Sequence, residues 1–142
     1  MPSPTQTASS PVESDLPSRG LILPLLAAWL IPGAGYFLLK KTGRGALVLL
    51  SVLLMFLFGL FMRGMMFMPE KGADYLTTLI NYGGFLCNLA AGVPYLLTMF
   101  GYSQPDMPGA VHDYGTKFLV TAGLLNILAM VDTWEIATGK KD

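Results

Sequence analysis

Three asparagines have the clearest potential for polar chemistry within the apolar part of this sequence. Asn81, Asn88 and Asn126 each lie inside a long apolar stretch. An amide at such a depth either hydrogen-bonds to a neighbouring helix or lines a path for a polar solute. Asn81 and Asn88 also share a helical face with Gly84 and Gly92, because the four recur at spacings of three and four residues. This pattern predicts a seam of close helix packing.

The natural partner of this seam is the last apolar stretch, in which Gly123 and Asn126 lie on one helical face. We therefore predict a contact between Asn88 and Asn126, or a polar neighbour that both amides share. The alternative is that each amide meets a backbone carbonyl instead.

Groups capable of acid–base chemistry are few. His112 and Asp113 are neighbours in a predicted loop at 101–117, which is rich in proline and in glycines such as Gly115, but catalysis would need a further base or a nucleophile beside them. Asp132 and Glu135 bracket Trp134 at the end of the last apolar stretch, a pattern typical of a membrane boundary. Asp132 is either an interfacial carboxylate paired with Lys140 or with a neighbouring loop, or a member of a proton relay. We predict no catalytic residue and a protein that is not an enzyme.

Ligands for metals and cofactors are equally scarce. Met62, Met65, Met66 and Met68 would suit copper(I) as soft thioethers, but flexible methionines also fill irregular gaps near membrane interfaces. Cys87 is the only cysteine, so the chain can form neither an intrachain disulfide nor a cysteine-based metal site by itself. We predict no metal site and no cofactor.

Long apolar stretches must position these residues. The chain has 142 residues, of which 53% are hydrophobic and 13% are charged, a composition with too little polar surface for a soluble domain of this size. A helix of about 20 apolar residues spans a bilayer core of roughly 30 Å. Four stretches approach that length, at about 21–39, 45–62, 76–100 and 118–134.

We therefore predict an all-α polytopic membrane protein, a bundle of four transmembrane helices. The bundle occupies residues 20–136, and residues 137–142 form a short polar C-terminus. Residues 1–19 are rich in Pro, Ser and Thr with few aliphatic side chains, which predicts a disordered polar tail.

A break is expected in the first helix at Pro32, Gly33 and Gly35, because proline removes a backbone donor and clashes with the preceding turn. Lipid cannot satisfy the freed carbonyls, so protein or water must do so. Three interpretations remain open. The break is a kink that allows close helix packing, a substrate or ion site at a broken helix, or a re-entrant turn at the interface.

A basic turn follows, with Lys40, Lys41 and Arg44 crowded between the first two stretches. Such a loop favours the cytoplasmic face. With four spans, however, the side of this turn would carry four basic residues and the other side five, so the count leaves the orientation open. The formal net charge is zero, which excludes an electrostatic footprint for nucleic acid.

Two motifs resemble known families. The run WLIPGAGYF at 29–37 followed by KKTGRG at 40–45 resembles the first helix and basic turn of small bacterial membrane proteins related to the two-transmembrane-helix domain. The closing run 114–141, with AGLLN and then DTWEIATGKK, resembles the end of an uncharacterised family of small bacterial multi-spanning membrane proteins. This resemblance implies a helical membrane bundle and brings no activity with it.

The function expected from these features is that of an accessory or scaffold subunit, packed against a larger membrane complex such as a respiratory or photosynthetic one. The alternative is a small oligomeric transporter or channel that uses the broken first helix and the intramembrane asparagines as a polar path. In either case the partners are the lipid bilayer and a larger membrane complex or further copies of the chain. The expected location is the bacterial inner membrane.

Overall fold

In the computed structural model, which describes residues 19–103 and 109–141, every regular element is an α-helix. The predicted disordered tail falls almost wholly on residues outside this description, and Arg19 is the first residue of the first helix. The six helices are α1 Arg19–Leu30, α2 Ala34–Leu38, α3 Thr42–Phe61, α4 Tyr75–Ala90, α5 Val93–Met99 and α6 Ala110–Ala137.

Two helices, α3 and α6, are long and apolar enough to cross a membrane. A third crossing exists only if α4 and α5 are counted as one span, although their axes differ by 112°. The predicted stretch 21–39 is likewise divided, because Pro32 and Gly33 separate α1 from the short α2. The four predicted spans therefore correspond to two continuous helices and two broken ones, which indicates a membrane protein with two or three crossings.

Helix α6 also begins earlier than predicted. We expected a loop as far as Lys117 because of its prolines and glycines, yet the helix starts at Ala110. Gly115, which contributed to the loop prediction, lies inside the helix and allows close contact with Gly64 and Gly59. It is a packing residue and not a turn residue.

The two long helices are antiparallel and form the frame of the molecule. Near the end of α3, a Cβ added at Gly59 would stand 2.6 Å from the Leu119 side chain on α6. Phe58 and Phe118 contact each other at the same level, with ring centroids 6.3 Å apart. At 28 residues, α6 is about 42 Å long, enough to extend beyond both surfaces of a hydrocarbon core.

Helix α4 runs parallel to the first half of α6 and stops near its middle. Gly123 of α6 lies against the backbone of Cys87, and Asn126 contacts the carbonyl of Ala90. Helix α5 then leads back, because Thr98 at its end donates to the sulfur of Met66. Tyr102, just beyond α5, donates to the carbonyl of Gly64 at 2.9 Å. We call α4 and α5 the second hairpin.

The first hairpin, α1 and α2, approaches from the other end of α6. Leu21 and Leu25 on α1 share a cleft with Trp134 on α6, while Trp29, further along α1, contacts Asn126. The chain then reverses, and α2 lies back along α1. A Cβ added at Gly35 would stand 2.8 Å from the Cβ of Ala28.

The bundle therefore has two distinct ends. The basic end holds the turn between α2 and α3 together with the C-terminus, because Tyr36 and Lys141 both contact Asp132. The other end, which we call the His112 end, holds the connection from α3 to α4 and the start of α6. Four alternating spans would separate the basic turn from the C-terminus, and the structure corrects this by placing both at one end.

The core lies where α3, α6 and the second hairpin meet. Its buried members include Val52, Leu119 and Tyr95. Residues between α3 and α4 contribute as well, since Met66 is only 6% exposed while Met65 and Met68 are exposed. Of the four methionines, one side chain therefore lies in the core and two lie at the surface, while Met62 is partly buried.

Candidate functional site

The break in the first hairpin is built from residues that permit a tight reversal. Gly33 has φ 82°, a left-handed conformation that other residues adopt only with strain. A Cβ there would also overlap the carbonyl oxygen of Gly45 on α3. Pro32 is buried and lacks the N–H that would continue the helix. The predicted helix break therefore forms the tip of a hairpin.

The break in the second hairpin depends on Gly92, which has φ 75° and ψ −136°. A Cβ at this position would overlap the carbonyl oxygen of Trp29 and would stand 2.7 Å from that of Leu30. The two hairpin tips are therefore in backbone contact. We predicted Gly92 to be a packing residue within a continuous helix, whereas in the structure it ends α4 and caps α5.

Where the tips meet, two side chains complete the hydrogen bonding of the broken backbone. Asn126 Nδ2 donates to the carbonyl of Ala90 at 2.8 Å and to that of Trp29 at 3.3 Å. The indole Nε1 of Trp29 donates to the carbonyl of Leu89 at 3.2 Å. We call this group, with Gly92, the hairpin junction. It supplies from within the protein the donors that lipid cannot provide.

The other predicted amides are used differently. Asn88 is 1% exposed, and neither of its side-chain polar atoms has a hydrogen-bond partner among the described residues. The same holds for Oδ1 of Asn126, so the two asparagines do not hydrogen-bond to each other. Asn81 lies outside the junction and donates to the carbonyl of Glu70. Of the three predicted asparagines, only Asn126 therefore contacts the carbonyls at the two helix breaks.

The two predicted packing glycines have separate partners. Gly123 meets the Cys87 backbone so closely that any side chain would overlap it. At Gly84 the nearest contact is the ring of Phe67, which covers the glycine from the connection between α3 and α4. The face of α4 that we predicted to pack on α6 alone therefore packs on α6 and on the connection between α3 and α4.

At the basic end, Asp132 forms the centre of a small polar cluster. The hydroxyl of Tyr36 donates to Asp132 Oδ2 at 2.7 Å, and the ammonium of Lys141 forms an ion pair with Oδ1. The side chain of Asp132 is 20% exposed, and Arg44 is close enough to act on it electrostatically. Asp132 is therefore an interfacial carboxylate, but its lysine partner is Lys141 and not the predicted Lys140.

The remaining interfacial residues flank this cluster. The Lys140 ammonium lies over the Trp134 ring, 4.6 Å from its centroid, and Glu135 lines a cavity of about 340 Å³ beside Tyr36. In the basic turn, Lys40 and Lys41 are exposed, and Lys40 has φ 61°. Cations and an indole at one level are typical of a membrane–water boundary.

The His112 end is held by contacts between α6 and the chain that follows α3. His112 Nδ1 donates to the carbonyl of Arg63 at 2.6 Å, and the Met65 amide donates to Thr116 Oγ1 at 2.8 Å. Tyr102 donates to the carbonyl of Gly64, and burial raises the pKa of its phenol further above neutral pH. His112 thus has a positioning contact, and no group of three acidic, histidine or cysteine side chains suited to a metal occurs in the described ranges.

Two residues of this arrangement gave no signal in the sequence. Tryptophan is typical of the membrane boundary, yet the indole of Trp29 lies at the hairpin junction. Tyr36 lies in an apolar run, and only the folded chain brings it to Asp132, 96 positions away. Neither contact follows from local spacing.

The chain can be compared with known proteins on this basis. No curated protein and no solved structure matches it. Residues 23–142 match the model of a family described as a family of unknown function (DUF6677), and because the match spans most of the sequence, the chain belongs to this family.

Proposed function

We propose that the chain is an integral protein of the bacterial inner membrane, in which α3 and α6 cross the bilayer and the two hairpins are re-entrant. The hairpins enter from opposite surfaces and meet near the middle of α6. This proposal replaces four spans with two. It is supported by the contacts that return α2 to the basic end and Tyr102 to the His112 end.

This topology also gives the molecule an orientation. The basic end carries six of the nine Lys and Arg residues, and the His112 end carries Arg63, Lys71 and Lys117. Because short loops on the cytoplasmic side are enriched in Lys and Arg, the basic end faces the cytoplasm. The two ends differ clearly in their number of basic residues only when the basic turn and the C-terminus share one side.

Within the membrane, we propose a non-enzymatic packing subunit of a larger membrane complex. The observation that carries this proposal is an exposed stripe on the outer face of α3, made of large apolar side chains at alternating spacings of three and four. Its members are Leu47, Leu50, Leu54, Leu57 and Phe61, which are 45–81% exposed. Such a heptad-like repeat is the pattern that inserts into the grooves of a facing helix.

The interior is consistent with this role. Asn126 and Trp29 donate to carbonyls of the chain's own backbone, so these donors are used to hold the hairpin junction together. Asp132, the residue that a proton path would need inside the bundle, is paired with Tyr36 and Lys141 at the basic end. The polar groups therefore hold the two hairpins together, while the α3 stripe remains available to a neighbouring helix.

Purification from the native membrane in a mild detergent, followed by native mass analysis, tests this function. We expect a stoichiometric partner that is lost on replacing Leu50 and Leu54 with Ala. The matched control replaces Leu76 and Leu79 on α4, which are similarly exposed, and should retain the partner. A monomer, or a symmetric assembly of this chain alone, would refute the accessory role.

A small transporter or channel is the second candidate, and one observation favours it. Asn88 is buried near the junction with both amide atoms unpaired among the described residues, and an intramembrane polar side chain without a partner is a default candidate for a solute path. Solute flux into proteoliposomes that Asn88→Leu abolishes would support this candidate. Equal flux with and without the substitution would exclude Asn88 from the path.

A further inference from the structure

A cleft of about 630 Å³ lies between α4 and α6 at the His112 end, separate from the junction and from the α3 stripe. This volume is within the range of ligand-binding pockets in proteins, roughly 300–1,000 Å³. Its walls come from α4, from the first three turns of α6 and from the extended residues after α3. The cleft therefore begins at the level of the membrane surface and extends towards the bilayer centre.

The floor of the cleft is apolar and is kept open by a glycine. Phe67, Ile80 and Val120 line it, and Cys87 lies at the deeper end. Gly83 also lines the cleft, and a Cβ added there would meet nothing within 4 Å. A larger side chain at Gly83 would therefore occupy the cleft without displacing the protein around it.

The mouth of the cleft has opposite charges on one wall. Asp113 and Lys117 both line it, and they are one turn apart on α6. Within residues 19–103 and 109–141, the one ion pair found is that of Asp132 and Lys141, so the side chains of Asp113 and Lys117 do not form an ion pair with each other. The Lys117 ammonium lies 5.1 Å from the centroid of the Tyr114 ring, which holds it at the surface.

We propose that this cleft binds a zwitterionic phospholipid with a primary amine, of the phosphatidylethanolamine type. Lys117 meets the phosphate, Asp113 meets the ammonium of the headgroup, and an acyl chain lies on the apolar floor past Gly83 towards Cys87. The inference requires that the chain is embedded in a bilayer, but it is independent of the α3 stripe. A charged mouth above an apolar floor complements the two parts of such a lipid.

The single cysteine makes the site directly measurable, since Cys87 is partly exposed and lines the cleft. The full chain is placed in nanodiscs of phosphatidylcholine, with or without phosphatidylethanolamine, and the rate of Cys87 alkylation by N-ethylmaleimide is measured. We expect phosphatidylethanolamine to slow the reaction severalfold. Asp113→Asn should abolish this slowing, because it removes the partner of the headgroup amine.

Native mass spectrometry provides a second readout. We expect the wild type to retain one phosphatidylethanolamine and Gly83→Phe to lose it. Gly43→Phe is the matched control, because Gly43 also has open space around it but lies at the opposite end of the molecule, and it should retain the lipid.

Three results would overturn the proposal. The first is a Cys87 alkylation rate that does not depend on phosphatidylethanolamine. The second is equal protection by phosphatidylglycerol, which would show that the cleft does not recognise the headgroup amine. The third is full lipid retention by Gly83→Phe. A negative result here leaves the partner analysis of the α3 stripe unaffected, so the two proposals fail separately.

Discussion

The role of Asn126 leads to a quantitative prediction, in which Asn126→Leu removes the amide that joins the two hairpin tips. The side chain donates to the Ala90 carbonyl at 2.8 Å and to the Trp29 carbonyl at 3.3 Å, so the shorter contact should dominate. Hydrogen bonds between membrane helices contribute about 0.6–1.7 kcal/mol each. A buried carbonyl left without a donor costs about 1–3 kcal/mol.

One term opposes this loss, because Oδ1 of Asn126 is itself unpaired among the described residues. Replacing the amide with Leu removes that unfavourable burial. With this offset, we expect Asn126→Leu to lower the free energy of unfolding by about 2 kcal/mol. This value combines the loss of two hydrogen bonds with the removal of one buried acceptor atom that had no partner.

Asn88→Leu is the matched control, since Asn88 is just as buried but has no hydrogen bond to lose. Asn88→Leu should therefore leave the free energy of unfolding unchanged or raise it. Reversible unfolding in mixed micelles by titration with sodium dodecyl sulfate would measure both variants. Equal stability of Asn126→Leu and the wild type, or a larger loss from Asn88→Leu, would refute the assignment of Asn126 as the residue that holds the junction.

Further predictions concern the packing and the two ends of the molecule. Gly123→Leu should prevent α4 from docking on α6, because the side chain would overlap the α4 backbone; monodisperse protein in size-exclusion chromatography would contradict this, and Gly43→Leu is the control. Tyr36→Phe should lower the thermal unfolding temperature, since Asp132 loses a hydrogen bond of 2.7 Å, and an unchanged temperature would mean that Lys141 alone suffices. Tyr102→Phe should cost about 1 kcal/mol by freeing a glycine carbonyl, measurable as faster local hydrogen exchange, and exchange at the wild-type rate would exclude this contact as an anchor.

The parts of the fold that local pattern determines could be predicted from the sequence. The second helix was expected at about 45–62 and is Thr42–Phe61, because an uninterrupted apolar run has one stable form in lipid. The break near Pro32 was expected because proline removes a donor whatever surrounds it. An uncharacterised family was also expected, and the family match confirms it.

The second hairpin could not be predicted in the same way. A glycine in an apolar helix is compatible with close packing, and nothing local distinguishes that role from a left-handed turn. Gly92 adopts the turn because the carbonyls of Trp29 and Leu30 occupy the space that a continuous helix would need, and those residues are about 60 positions away. The orientation remained open for the same reason, since it depends on which loops share a side.

The hairpin junction constrains how the chain is made. One of its two donor side chains, Asn126, lies in α6, the last helix of the described chain to be synthesised, whereas the Ala90 and Trp29 carbonyls that accept from it are synthesised earlier. Until α6 arrives, the tips of the two hairpins have carbonyls that lipid cannot satisfy. With the proposed re-entrant hairpins, we therefore expect the two tips to settle in the bilayer only after α6 has been synthesised.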